Sequence, residues 1–285
     1  METTLPLVTR LRSGISWNVS SSLVGQFIGF LRSVTLARLL APQDFGLFTM
    51  ALTVVAAANA LTTIGLDRTI IANRFVTRDE LKVHLDTVWS AELIRSIVVA
   101  LLVSLSAFPM TRFYGQSQLK IAIPILACAS LIQGFQNIGL VLLRKEISFQ
   151  KVFWFDLATN VGGAVLTIAL AAILQNVWAL VFGMVITATI GTVLSYVFHA
   201  FRPSVKFDRV AVTQAWHFGK FAILFAVASY ITNMADNIMV GRLLGPDALG
   251  NYSLAFNIAS APIVVVIFSV SAVLLPAYWS FHCVA

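Results

Sequence analysis

The sequence predicts an all-α polytopic membrane protein of about eight transmembrane helices: one complete six-helix lobe plus the start of a second, parallel-repeat lobe. Composition is the first observation behind this. The 285 residues are 59% hydrophobic and 11% charged, whereas a soluble domain carries about 25% charged residues. Spacing is the second: the charges sit in short loops and leave apolar runs of roughly 20 residues, the length of a bilayer-spanning helix. The third is an internal repeat. Ala37-Arg38-Leu39-Leu40-Ala41-Pro42 returns as Gly241-Arg242-Leu243-Leu244-Gly245-Pro246, an offset of 246 − 42 = 204. The register continues through Phe45/Leu249, Gly46/Gly250, Phe48/Tyr252 and Ala51/Ala255. That offset is too long for a solenoid unit and fits two halves of one membrane domain.

The first span, about 15–40, ends at Arg38 before the turn Ala41-Pro42-Gln43-Asp44. Its length and the lack of a small-residue cleavage site argue against a cleaved signal. Ser22, Gly25, Gln26, Gly29, Arg32 and Ser33 form one small-and-polar stripe on it, and the Gly25/Gly29 spacing suits close helix packing. The second span, about 45–66, carries Asn59, Thr62 and Thr63. The third, about 88–109, carries Glu92 and Arg95, which can pair at i, i+3. The fourth, about 119–143, carries Gln133, Gln136 and Asn137, with Cys128 expected as a small core residue. The fifth, about 152–175, carries Asp156, Thr159, Asn160 and Gly163, and the sixth covers about 177–199.

A polar joint at about 200–217 then separates a first domain, 1–204, from a second, 205–285. The seventh span, about 218–244, puts Tyr230, Asn233, Asp236 and Asn237 on one face, and the eighth covers about 248–276. The second half thus has two spans where the first has six. The expectation is a chain cut short; the alternative is a short protein that completes itself by dimerising.

Basic residues orient the spans. With the N-terminus in the cytoplasm, thirteen face inward: Arg10, Arg12, Arg68, Arg74, Arg78, Lys82, Arg144, Lys145, Lys151, Arg202, Lys206, Arg209 and Lys220. The outer loops hold only Arg112 and Lys120, a strong positive-inside bias. Trp17, Trp89, Trp154, Trp216 and Trp279 fall at inner ends and Trp178 at an outer end, as in an aromatic belt. The same loop placement explains the net charge of +7 without nucleic acid. Cys128 and Cys283 lack metal-type spacing, and His84, His199 and His217 do not cluster. No P-loop, nucleophile elbow or zincin motif is present, so neither an enzyme nor a cofactor is expected. Any transport would draw on an ion gradient, the membrane potential or the substrate gradient.

Ionisable groups inside spans are costly and usually functional. Arg32 and Asp236 occupy the same repeat position, since 236 − 32 = 204. One reading is a cavity in which Arg32 attracts an anionic group while Asp236 balances it or couples an ion; the other is a structural salt bridge between lobes. Arg95 either pairs locally with Glu92 or meets substrate near the inner mouth. Polar faces on five helices describe a central hydrophilic vestibule. The candidate substrate-binding residues are Arg32, Asp236, Gln26, Asn233, Asn237, Arg95, Gln133, Asn137 and Asn160.

The segments Leu36–Leu52 and Asp236–Tyr252 resemble the corresponding turns of Wzx-type oligosaccharide flippases, within the multidrug/oligosaccharidyl-lipid/polysaccharide exporter superfamily. The resemblance extends to about Tyr278. It implies two six-helix lobes in a V around a central cavity, working by alternating access in the cell inner membrane. It implies as substrate a polyprenyl-pyrophosphate-linked oligosaccharide for exopolysaccharide, capsule or O-antigen synthesis, with Arg32 and Arg95 toward the anionic group. Lipid-linked oligosaccharide, membrane lipids, a polysaccharide polymerase and export machinery are the implied partners. The chain departs from the family in lacking most of a second lobe. The alternatives are a cation-coupled multidrug exporter of the same fold, with Asp236 as coupling carboxylate, and a non-functional truncated remnant. A membrane glycosyltransferase or polymerase is disfavoured by the short outer loops.

Overall fold

The computed structural model describes residues 4–63, 78–145, 149–206 and 209–260, and no strand occurs among them. Arg68, Arg74, Trp279, Cys283 and the eighth span beyond residue 260 lie outside the described residues, as do the side chains of Arg10, Arg12, Arg78, Arg144, Arg209, Trp216, His217 and Lys220. The helices are α1 (Thr4–Leu39), α2 (Pro42–Thr62), α3 (Arg78–Tyr114), α4 (Leu119–Gly134), α5 (Gly139–Lys145), α6 (Phe149–Leu174), α7 (Trp178–Phe198) and α8 (Arg209–Leu243). A further helical run, α9, occupies 245–260. Among the described residues, five helices are long and apolar enough to cross a membrane: α2, α3, α6, α7 and α8. The polar stripe of α1 keeps it below that hydropathy, and α4 is 16 residues long.

α2 is the central helix. Buried residues make up 56% of its apolar window but 0% of that of α8. It packs against α3, α4, α7 and α8, while α1 rests on α6 at the other side. Leu47, Met50, Ala51 and Val54 of α2 meet Val99 and Val103 of α3, Ile123 and Leu126 of α4, and Val181 of α7 in one core. The outward faces of α3 and α8 stay apolar: Leu105, Leu224 and Phe225 are all about 70% exposed or more, as suits side chains facing lipid. Ser and Thr hydroxyls inside the helices are satisfied locally. Thr62, Thr87, Thr111, Thr167 and Thr187, for example, each donate to the carbonyl four residues back.

The two copies of the repeated turn meet face to face. Gly46 lies against Pro246, and Gly250 lies against Pro42. Since 46 + 204 = 250 and 42 + 204 = 246, the contact is reciprocal, as in an isologous interface about a two-fold axis. A Cβ on Gly46 would fall within 2.8 Å of Pro246 Cα, and one on Gly250 within 3.1 Å of the Gly46 nitrogen. Only glycine lets these backbones approach so closely. Around this point Leu249 is fully buried in the α2 core. Tyr230 donates to the Thr53 carbonyl at 3.2 Å, and the Thr53 and Tyr114 hydroxyls lie 3.3 Å apart.

The turns themselves are built differently. Before α2, Ala41 is extended (φ −73°) and its N–H donates to the Asp44 carboxylate at 3.1 Å, with Pro42 at the first helical position. At the equivalent position, where α9 begins, Gly245 takes φ +86°, which favours glycine.

Four expectations need correction. The fourth span is not continuous: it breaks at 135–138 between α4 and α5. Gly134, the last residue of α4, packs so closely on α3 that a Cβ there would collide with the Ser96 side chain. Cys128 is exposed, since the core face of α4 runs through Ala122, Ile123, Leu126 and Ala127. Trp89 is not an interfacial anchor but is buried with Leu85, Ile138 and Val141 beneath the redirected α5. Among the described residues nothing packs on Gly25 or Gly29: a Cβ on either would have no neighbour within 4 Å.

These contrasts predict that Gly46→Leu, which overpacks a backbone contact, lowers stability by about 1–3 kcal/mol. Gly25→Ala should be neutral or slightly stabilising, because alanine is the better helix former. Thermal unfolding in detergent, followed by circular dichroism at 222 nm (a wavelength for helix), checks both.

Candidate functional site

Arg32 lines an open cavity of about 410 Å³ formed by α1, α2, α4, α6 and α7. Its walls are Phe48 and Leu52 from α2, Gln133 at the end of α4, Gln136 in the break after it, Thr159 from α6, and Met184, Thr187, Ala188, Gly191 and Thr192 from α7. The helix break is what brings Gln136 here, because it swings the chain beside Gly191. A Cβ on Gly191 would lie 3.9 Å from Gln136 Nε2 and 3.3 Å from Thr159 Cγ2.

The polar groups of this cavity are unevenly satisfied. Thr187 donates to Gly183 O at 2.7 Å and Thr192 to Ile132 O at 3.0 Å. Arg32 has no ion pair or hydrogen bond among the described residues, and the buried Thr159 hydroxyl has none either. In an apolar medium an uncompensated cation and an unpaired hydroxyl are costly, and both line the same space.

The repeat-equivalent position is chemically inverted. Asp236 accepts a short hydrogen bond from the Tyr252 hydroxyl. Because 48 + 204 = 252, the pair Asp236/Tyr252 is the counterpart of Arg32/Phe48. The first half thus lines one cavity with a cation and a benzene ring, and the second sets a carboxylate on a phenol. The salt-bridge alternative between Arg32 and Asp236 does not form: the ion pair seen among the described residues is Arg95 with Glu92, at 2.6 Å.

The other candidates fall in separate places. Arg95 donates to Glu92 and, at 3.1 Å, to Asn59 Oδ1, so it joins α3 to α2 with its charge locally balanced. Asn137 is almost fully buried. Its amide donates to the carbonyls of His199 (3.2 Å) and Phe201 (2.7 Å), and its oxygen accepts from Gly139 N–H (2.9 Å). It fastens the break to the segment after α7 rather than facing the cavity. Asn160 is exposed, donates to Asp156 O at 2.8 Å, and lines a small crevice against Ser21 and Gly25 of α1. Asn233 is exposed and donates to Ser229 O, while Asn237 lies beside Asp236 with its N–H on that carboxylate. Gln26 is half-buried on α1. The structure therefore brings together Arg32 and Gln133 and adds Gln136 and Thr159, which the polar faces held but the candidate set omitted. No group of His, Cys, Asp and Glu among the described residues is placed to hold a metal.

The segment after α7 is also fixed. Asp86 on α3 accepts from Ser204 N–H (2.9 Å) and from its hydroxyl (2.7 Å), and Ser90 accepts from Lys206 N–H (3.1 Å). Asp86 is fully buried by this contact. The polar joint between the repeats is strapped across the first helices at its start.

Comparison with known proteins agrees with this architecture. A family model described as polysaccharide biosynthesis protein matches residues 35–282. The lipopolysaccharide biosynthesis protein WzxC of Escherichia coli (strain K12) is 24% identical over 93% of this chain and 54% of its own length. The succinoglycan biosynthesis transport protein ExoT of Rhizobium meliloti (strain 1021) is 26% identical over 93% and 53%. The teichuronic acid biosynthesis protein TuaB of Bacillus subtilis (strain 168) is 22% identical over 91% and 53%. The chain spans about half the length of these curated relatives. No solved structure matches it.

Asn137→Ala removes both amide donors and leaves the buried Gly139 N–H without its acceptor, at a cost of about 1–3 kcal/mol. Asn160→Ala, on an exposed helix face, should stay within about 0.5 kcal/mol of the parent. Chemical denaturation in detergent micelles ranks the two, and equal losses would contradict the structural role given to Asn137.

Proposed function

The chain belongs to the polysaccharide biosynthesis protein family, and from that premise we propose that it forms the first lobe, with the start of the second, of a multi-pass flippase for lipid-linked saccharide. The substrate is a polyprenyl-pyrophosphate-linked oligosaccharide destined for exopolysaccharide, capsule or O-antigen. The protein works as a transporter in the cell inner membrane, with its N-terminus cytoplasmic. The lobe division at 204 and alternating access between lobes belong to the same proposal.

The observation that carries it is Arg32 on α1, which lines this cavity without a charge partner among the described residues. Burying a guanidinium without a carboxylate is unfavourable unless an anion arrives with the ligand. The planar fork of arginine suits phosphate oxygens. A pyrophosphate supplies such an anion, and the surrounding amides and hydroxyls are hydrogen-bonding groups of the kind that meet a carbohydrate. Asp236 is already hydrogen-bonded by Tyr252 and Asn237 N–H, so it holds α8 to α9 in this state rather than neutralising Arg32.

Arg32→Ala, introduced into a full-length protein, should lower polymer export at least about tenfold, since a charged hydrogen bond contributes about 1.5–3 kcal/mol. Membrane insertion should be unchanged. Secreted polysaccharide is measured in a strain lacking its own exporter, alongside the membrane content of the variant. Undiminished secretion would sink the assignment.

A further inference from the structure

We infer that an anionic phospholipid of the bilayer occupies the groove between α2, α3 and α8, with an acyl chain along its apolar walls and its phosphate on Arg242. The site is separate from the Arg32 cavity and stands whether or not the chain carries a lipid-linked saccharide.

The groove is open and has a volume of about 420 Å³, within the range of small-ligand sites. Val54, Ala57 and Leu61 of α2, Leu102 and Met110 of α3, and Ile238 of α8 line it. The hydroxyls that reach it are satisfied inside the protein. Thr53 donates to the Met50 carbonyl and Ser106 to the Val103 carbonyl, each at 2.7 Å, and Tyr230 donates to the Thr53 carbonyl at 3.2 Å. The one Thr53 hydroxyl hydrogen is engaged by Met50, so Tyr114 is the donor in its 3.3 Å contact with Thr53. A groove whose polar groups already bond one another offers little to water or to a polar ligand, and suits a hydrocarbon chain.

The cation stands at one end. Phe113 lines the groove, and the Arg242 guanidinium lies over its ring, Cζ 5.4 Å from the centroid. Arg242 is four residues, about 6 Å, beyond Ile238 on α8. It is exposed and has no carboxylate partner among the described residues. Stacking on the ring holds the guanidinium plane and leaves N–H donors at its edge, a fork that suits phosphate oxygens. Arg112 is the contrast. It precedes Phe113 in the chain, but its Cζ lies 4.3 Å over the ring of Phe108, which is not a wall of the groove.

Two observations favour a bilayer lipid over the saccharide carrier. The groove and the Arg32 cavity share no residue: α2 turns Phe48 and Leu52 to the cavity and Val54, Ala57 and Leu61 to the groove. A headgroup held at Arg32 therefore leaves Arg242 to a second lipid. Beside the α8 wall, Ile231 and Met239 are 58% and 60% exposed, so lipid reaches the groove from the side. Because the walls come from both repeats, a lipid seated there ties α8 to α2 and α3 and stabilises that arrangement by mass action.

The test uses the purified, delipidated chain in detergent micelles, with dioleoyl phosphatidylglycerol, dioleoyl phosphatidylcholine and undecaprenyl phosphate as probes. Native mass spectrometry should show phosphatidylglycerol bound about fivefold more tightly than phosphatidylcholine, the scale of one basic residue at an anionic membrane surface. Its addition should also raise the unfolding temperature. Arg242→Gln should abolish the preference and leave phosphatidylcholine binding as it is, while Arg112→Gln should change neither. Ala57→Leu, which fills the groove, should weaken both phospholipids; its unfolding temperature without added lipid separates a blocked groove from a lost fold. Phosphatidylglycerol with a photoreactive acyl chain should label the groove residues of α2, α3 and α8. Equal binding of the two phospholipids, a preference that survives Arg242→Gln or falls equally in Arg112→Gln, or labelling elsewhere in the chain overturns the site. Undecaprenyl phosphate displacing the photolabel at lower concentration than phosphatidylglycerol overturns the phospholipid assignment in favour of the carrier lipid.

Discussion

The reciprocal contact of Gly46 with Pro246 and of Gly250 with Pro42 is the constraint that organises the rest. Two helix starts can touch backbone to backbone only if neither carries a side chain at the crossing. Once they touch, Leu249 enters the α2 core and α8 falls across α2 and α3, where Tyr230 reaches the Thr53 carbonyl. α2 thereby has two tasks. One face seats the second repeat, and another supplies Phe48 and Leu52 to the Arg32 cavity.

The repeat keeps geometry and changes chemistry. Positions 32/48 and 236/252 are related by the same offset as the turns. In the second copy the pair is closed, carboxylate on phenol; in the first it lines an open cavity with a free cation. The two copies thus carry opposite charges at one repeat position, with partners in the second and none among the described residues in the first. The strap from Asn137 and Asp86 to residues 199–206 then ties the end of the first repeat back onto its own helices.

Much of this was legible in the sequence, because the signals were local or periodic. The offset of 204, the apolar spans and the intramembrane Arg32 need no knowledge of packing. What escaped depends on partners distant in the chain. The break after Gly134 is flanked by Ser96 on one side and by the segment 195–201 on the other, about 40 and 60 residues away. A helix drawn straight through it puts Gln136 and Asn137 in one polar stripe. The real break sends Gln136 to the cavity and Asn137 into the core. Trp89 was misread for the same reason, since only the turned α5 covers it. Gly25 and Gly29 show the reverse: a packing motif by spacing, with no neighbour to pack against among the described residues.

The central claim is that the unpaired Arg32 guanidinium receives the lipid pyrophosphate. Solid-state NMR in bilayers, recoupling arginine Cζ to phosphorus with farnesyl pyrophosphate present, measures that contact directly. The account predicts a Cζ–phosphorus distance of about 4–5 Å, set by paired N–H···O bonds, and its disappearance in Arg32→Lys. No such contact in the parent chain, or one that survives Arg32→Lys unchanged, would contradict it.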